Sequence, residues 1–301
     1  MVNQRTGLIL VFSTAVISGF SVFINQFGVA EFNPYLFTFL KNTLVAVFLL
    51  ALVLGFREIN QVKKLKKKDW LWLLAIGLFG GAIPFLLFFK GLSLTTAANG
   101  SFVQKTMFVY VAFFAATILR EKISLKLYLL GAVLLLGNLL LLKSLPASLN
   151  AGDYLILAAT LFWAFEYTIS KAALKTISPR LVALGRMGIG SLFILIFLVF
   201  TGNINSVAKL SMAQIPWILI ASSLLASYVL TWYTGLKSVK VTTATVILLL
   251  GSPITTALTL LSGRSLTANQ FAGLAVVAFG LIFAFWSGKF ISAQRGTVVR
   301  S

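Results

Sequence analysis

Cysteine and histidine are both missing from this chain of 301 residues, and only six of its residues are acidic. Without cysteine there are no disulfides and no thiolate metal sites. Without histidine, clustered acids or an Asp-rich motif, little equipment remains for acid–base or metal-assisted catalysis, which argues against an intramembrane enzyme. No GxxxxGK[ST] loop occurs, so ATP-driven work would need a partner chain. Charge of any sign is sparse, at 10% of residues. What fills the chain instead is apolar: 59% of residues are hydrophobic and the mean hydropathy is +1.00. Such a composition belongs to a polytopic membrane protein and leaves almost nothing for a soluble domain.

Spanning a bilayer takes about 20 apolar residues per helix. Ten windows of that length stand near residues 7–30, 34–56, 70–91, 95–119, 125–143, 151–174, 179–201, 214–236, 241–262 and 267–288. They are too long for barrel strands and lack sustained alternation, whereas helices satisfy their own backbone in lipid. The first window has only Arg5 before it and no persuasive cleavage site, so it is read as a retained helix.

The formal net charge is +19. The basic residues are sorted by membrane side, which is a topology signal rather than a nucleic-acid footprint. With the N-terminus inside, 18 of the 25 Lys and Arg residues fall on one face, including the run KKLKKK at 63–68. The opposite face holds only Lys90, Lys143, Lys209 and Arg264, and Lys41, Lys105 and Arg186 lie within windows. Both termini are therefore expected in the cytoplasm of a multi-pass protein of the cell membrane, plasma or inner.

The chain also echoes itself. Pro34 precedes Lys41 by seven residues, as Pro179 precedes Arg186, and each member of the first pair stands 145 residues before its counterpart. GLSLTTAANG at Gly91 answers GLKSVKVTTATV at Gly235, and ILREKIS at 118–124 answers LLSGRSLT at 260–267. Two units are expected, residues 1–145 and 146–301, each of five helices. Five is odd, so the second unit enters the membrane from the opposite face. The expected fold is an all-α integral membrane protein of ten transmembrane helices in two inverted five-helix repeats, the usual basis of alternating access. A passive channel is the alternative, but no carbonyl filter or ring-forming charge pattern favours it.

In its order of motifs, present twice, the chain resembles the EamA-type transporters of the drug/metabolite transporter superfamily. The motifs are a helix-starting proline with a basic residue seven positions on, then GL with a Thr-rich small segment and a long apolar run, then an REK or GRS turn before a Gly-containing helix. The resemblance implies ten helices with cytoplasmic ends, a central cavity lined by the first four helices of each half, and export or exchange of small metabolites. Two departures bear on substrate and coupling rather than fold: FWAFE at 162–166 is answered by ISGFS at 17–21, and the acidic–Pro pair common in the family is MF at 107–108 and SP at 252–253.

A charge within a spanning helix needs a partner or a wet cavity. At 1.5 Å per residue, Lys41 lies ~10 Å inside the outer end of its helix, Arg186 ~10 Å inside the inner end of its own, and Lys105 ~15 Å along a third. Lys41 and Arg186 either attract a carboxylate or phosphate, one near each gate, or serve as structural or gating residues that cap carbonyls or snorkel. Lys105 has no basic repeat mate and is expected to line the cavity and contact substrate or counterion. Neighbours on a helix diverge by about 100°, so Gln104 is expected to pack between helices. Asn99 and Ser101 either line that cavity or bond between helices.

Glu166 is the one carboxylate well inside a window; it either takes a proton or a substrate amine, or pairs with Arg186 and stays charged. With Trp163 and Tyr167, it offers an aromatic–acid surface, while Tyr110 and Trp232 face the expected cavity. Most Phe is read as lipid-facing bulk, and Glu31 and Asp153 as solvated at outer helix ends. No cofactor or metal is expected. Expected partners are membrane lipids, a small-molecule substrate with a proton or counter-substrate, and a second copy in a homodimer; no nucleic acid is expected. The substrate is expected to be a small metabolite such as an amino acid or organic anion.

Overall fold

The computed structural model describes residues 3–31, 33–142, 149–263 and 267–286. The expected repeat boundary at 145/146 lies outside them, as do Lys143, Arg264, Lys289, Arg295 and Arg300. The described residues form helices and no strands. Seven helical stretches are long and apolar enough to cross a membrane: α1 (Gln4–Glu31), α2 (Pro34–Gly55), α3 (Lys67–Leu92), α4 (Ala97–Ile118), α7 (Pro179–Phe200), α8 (Met212–Ser238) and α9 (Val241–Leu261). Three further helices complete the bundle: α5 (Leu125–Leu140), α6 (Ala151–Ala173) and α10 (Ala268–Trp286).

Local chemistry starts these helices where the sequence places them. Asn33 accepts from the backbone N–H groups of Tyr35 and Leu36 at the start of α2, and Ser178 does the same for Leu181 in α7; proline follows each cap. Asn150 and Asp153 cap α6 reciprocally. Asp153 also accepts from Thr95 at 2.8 Å and is only 1% exposed, so it is a buried link between helix ends rather than a solvated charge. Outward-facing side chains are large and apolar, among them Phe113, Leu129, Leu192 and Phe200. A surface of that kind is stable in lipid, not in water.

α1 packs along α8, α3 along α6, and α5 along α10. Two π-helical segments, Gly77–Ala82 in α3 and Gly185–Ile189 in α7, cross each other at the centre. Their approach depends on glycine: a Cβ on Gly81 would strike the Arg186 carbonyl oxygen, and one on Gly190 would lie 2.6 Å from the Gly81 carbonyl carbon. α4 and α9 are each interrupted midway, at Thr106 and at Leu249–Leu250.

Polar contacts join the bundle beyond both ends of α2. At one end Ser178 Oγ donates to Glu58 Oε2 at 2.5 Å, and Thr176 Oγ1 donates to Asp69 Oδ1 at 2.9 Å. Arg180 also pairs with Glu58. At the other end Asn33 Nδ2 donates to Asn203 Oδ1 at 2.8 Å, and Gln214 Nε2 donates to the Glu31 carbonyl. Residues 33 and 178, 58 and 203, 31 and 176, and 69 and 214 are each separated by 145 positions.

Candidate functional site

The centre of the bundle is organised by one proline. Pro84 has no N–H to give the Gly80 carbonyl four residues earlier, so that oxygen is open to other donors. It accepts from Trp163 Nε1 at 3.0 Å and from Arg186 Nε at 3.1 Å. The broken register of α3 thereby fixes one side chain from α6 and one from α7.

Arg186 is 2% exposed, and its Nη1 stands 3.2 Å from Tyr233 Oη and 3.5 Å from Glu166 Oε2. Glu166 Oε1 accepts from Tyr233 Oη at 2.7 Å and from Ser170 Oγ. Oε2 has no hydrogen bond, so the guanidinium is its counter-charge at ion-pair distance. Any side chain on Gly80 would collide with Glu166. Tyr167 and Tyr228 share a 2.5 Å hydroxyl contact, and Tyr167 leans on Trp232 at 4.3 Å.

Lys41 has a different environment. It is 1% exposed, and its ammonium sits 3.6 Å from the centre of the Phe89 ring, 5.0 Å from Phe85 and 5.7 Å from Phe37. Among the described residues the side-chain nitrogen has neither a hydrogen bond nor an ion pair, though the Lys41 carbonyl accepts from Ser222 Oγ at 3.4 Å. Cation–π attraction at a desolvated site is worth about 2 kcal/mol, less than the several kcal/mol that burying an ammonium costs. Lys41 is thus a buried amine with no acid among the described residues to balance a charge on it.

Lys41 and Arg186 line the same narrow cavity, of about 50 Å³. By the ~10–15 Å³ a single water requires, that is room for a few waters. Ser18, Ser21, Val22 and Asn25 of α1 form one wall, Phe85, Phe88 and Phe89 of α3 with Trp163 and Tyr167 of α6 another, and Gln104, Leu225 and Tyr228 complete it. A smaller space, sharing Ser18, Gln104 and Tyr228, is lined by Lys105 together with Thr245 and Leu248 of α9. Among the described residues, none of α5 or α10 lines either space. The Lys105 ammonium donates to Ser18 Oγ at 3.0 Å and Gln104 Oε1 at 3.3 Å.

Several sequence expectations change here. Lys41 and Arg186 meet in one cavity instead of standing apart near separate gates. Gln104 lines the cavity and reaches back to Lys105, because long side chains on adjacent residues can converge where their backbone directions diverge. Glu166 is fully buried behind the cavity wall, in contact with Arg186. Trp163 and Tyr167 line the cavity, while Trp232 stands behind Tyr167 with its indole N–H unpartnered. Asn99 and Tyr110 line neither space, and Ser101 bonds across helices to Ser252 at 2.9 Å.

Phe85, Phe88 and Phe89, which the sequence reading did not single out from the mostly lipid-facing Phe, surround the site. Their i, i+3, i+4 spacing after Pro84, and the i, i+3, i+7 spacing of Ser18, Ser21 and Asn25, each mark one helical face and were the available signals.

Residues 5–143 and again 150–286 match the EamA-like transporter family. An uncharacterized transporter of Methanothermobacter thermautotrophicus is 24% identical over 229 residues, which is 71% of this chain and 66%, just under two thirds, of that protein. The riboflavin transporter ImpX of Fusobacterium nucleatum is 28% identical over 225 residues, 67% of this chain and 71% of its own. A solved crystal structure superposes over the whole of both chains with a TM-score of 0.75 at 16% identity, a likeness of fold alone. The two family matches together span nearly the whole chain, and with the apolar helices around a central cavity they identify it as a multi-pass membrane protein of the EamA-like transporter family.

Proposed function

We propose that the chain is a secondary carrier that exports or exchanges a small metabolite, an organic anion or an amino acid, by alternating access. The observation that carries this reading is the central cavity: helices from both halves line it, and it holds two buried basic side chains, Lys41 and Arg186, of which Lys41 has no acid beside it. A wet, charged site enclosed midway through apolar helices is where a carrier binds its substrate. In this reading the ten helices all cross the membrane as two inverted five-helix repeats, residues 1–145 and 146–301.

Support for the inversion comes from the four contacts spaced by 145 residues at opposite ends of α2. Equivalent positions of the two halves close opposite ends of the molecule, as an in-plane pseudo-two-fold axis requires. The end carrying Glu58, Asp69 and Arg180 also carries the KKLKKK run, which assigns it to the cytoplasm by the positive-inside rule. A substrate that arrives from one face enters when one set of contacts parts and leaves when the other does.

The test is counterflow in proteoliposomes over a panel of organic acids, amino acids and nucleosides. Saturable uptake driven by internal unlabelled substrate supports a carrier. Unsaturable current without counterflow overturns it in favour of a channel. Epitope mapping that puts residues 57–69 and the C-terminal tail on different faces would contradict the inverted topology.

A further inference from the structure

The lining of the cavity narrows the substrate class, on the basis of the carrier reading above. Its charges come first. Arg186 is matched by Glu166, whereas Lys41 is matched by nothing, and no Asp or Glu lines the cavity or the adjoining space beside Lys105. The empty site therefore offers Lys41 no acid, while Lys105, also without one, is held by Ser18 and Gln104 in the adjoining space. A ligand carboxylate supplies the acid that Lys41 lacks. An ammonium on the same ligand would find no acid and would sit beside like charges, where repulsion in a low-dielectric site is severe. This separates organic anions from zwitterionic amino acids.

Shape and surface come second. Phe85 and Phe88 flank Trp163 at ring-centre distances of 5.3 and 5.2 Å, and Tyr167 and Tyr228 line the same cavity. Ring edges and faces directed at one space favour a further ring in edge-on or offset contact, worth about 0.5–1.5 kcal/mol per pair beyond area burial. The Lys41 ammonium lies at the end of this aromatic wall, on Phe89. A ligand that satisfies both features carries its ring and its acid on one short skeleton.

We infer that the carried ligand is an aromatic monocarboxylate without an amine, its carboxylate on the Lys41 ammonium and its ring among the aromatic side chains of α3 and α6. The rings of Phe37, Phe85 and Phe89 surround the Lys41 side chain when the site is empty, and the carboxylate replaces part of that contact when it is occupied. The present cavity is smaller than such a ring, so binding accompanies parting of the helices at one end.

The experiment measures binding to the purified full chain in detergent by titration calorimetry. 3-Phenylpropionate, indole-3-acetate and 4-hydroxybenzoate represent the class. Phenylalanine adds the amine to the first, 3-cyclohexylpropionate removes its π system, and phenyl phosphate replaces the monoanion with a dianion. At least one aromatic acid is expected to bind tenfold or more tightly than all three controls. Lys41→Gln should lose that binding tenfold or more while its thermal melt stays cooperative.

Phenylalanine, phenyl phosphate or 3-cyclohexylpropionate binding as tightly as the aromatic acids overturns the assignment. So does undiminished binding by Lys41→Gln, or no binding by any of the three acids. If the same preparation shows counterflow of another metabolite while all three acids fail, the ligand class falls and the carrier reading stands. If the acids bind but nothing is transported, the carrier reading falls alone.

Discussion

Replacing Glu166 by Gln and Arg186 by Met, singly and together, tests whether the central pair is ionic. Gln keeps an oxygen for the Tyr233 and Ser170 hydroxyls, so Glu166→Gln removes charge with little change of shape. At the observed 3.5 Å separation and an effective dielectric of about 20, the two charges attract by about 5 kcal/mol. Part of this is lost to relaxation in the single variants, which leaves an expected coupling of about 2–3 kcal/mol across the double-mutant cycle. Interhelical hydrogen bonds between neutral groups in membranes average about 0.6 kcal/mol and reach about 1.7. The cycle therefore distinguishes a carboxylate from a carboxylic acid. The assay is equilibrium unfolding in mixed micelles followed by tryptophan fluorescence, for which the chain supplies six Trp residues. Each single variant should be less stable than the double variant, because each leaves a buried group without its counterpart. A coupling below about 1 kcal/mol would refute the ion pair and mean that Glu166 is protonated beside Arg186.

Lys41→Met, similar in length and apolar, should stabilise the protein by about 1–4 kcal/mol in the same unfolding assay while abolishing counterflow, a trade between stability and activity. An unchanged or lowered stability would show that Lys41 carries no unbalanced charge in the membrane. Pro84→Ala restores an N–H that can claim the Gly80 carbonyl; counterflow should fall at least tenfold as Trp163 and Arg186 lose their acceptor, with the protein still folded by circular dichroism. Full activity in that variant would show that the broken register of α3 is dispensable. Because the chain has no cysteine of its own, Ser21→Cys provides a single thiol on the cavity wall. Glu58→Ala, which removes the acceptor for Ser178 and Arg180, should speed its labelling by a membrane-impermeant maleimide from the cytoplasmic face and not from the other; equal rates from both faces would count against two separate gates.

The sequence alone determined the solvent and the secondary structure. Apolar runs of membrane length are local properties, and in lipid a helix satisfies its own backbone whatever its neighbours are. The caps at Asn33, Ser178 and Asn150 were likewise readable, since each acts within its own first turn. Lys41, Lys105, Glu166 and Arg186 were recognisable as groups needing partners, because a charge in a spanning helix is costly anywhere. Which partner each one finds was decided only by tertiary structure. Arg186 took Glu166 while Lys41 took aromatic rings, because the rotation and depth of each helix depend on the close glycine crossing of α3 and α7. The gathering of Phe85, Phe88 and Phe89 around Lys41 has the same origin: in an all-apolar helix nothing local distinguishes the face that meets lipid from the face that meets a cavity.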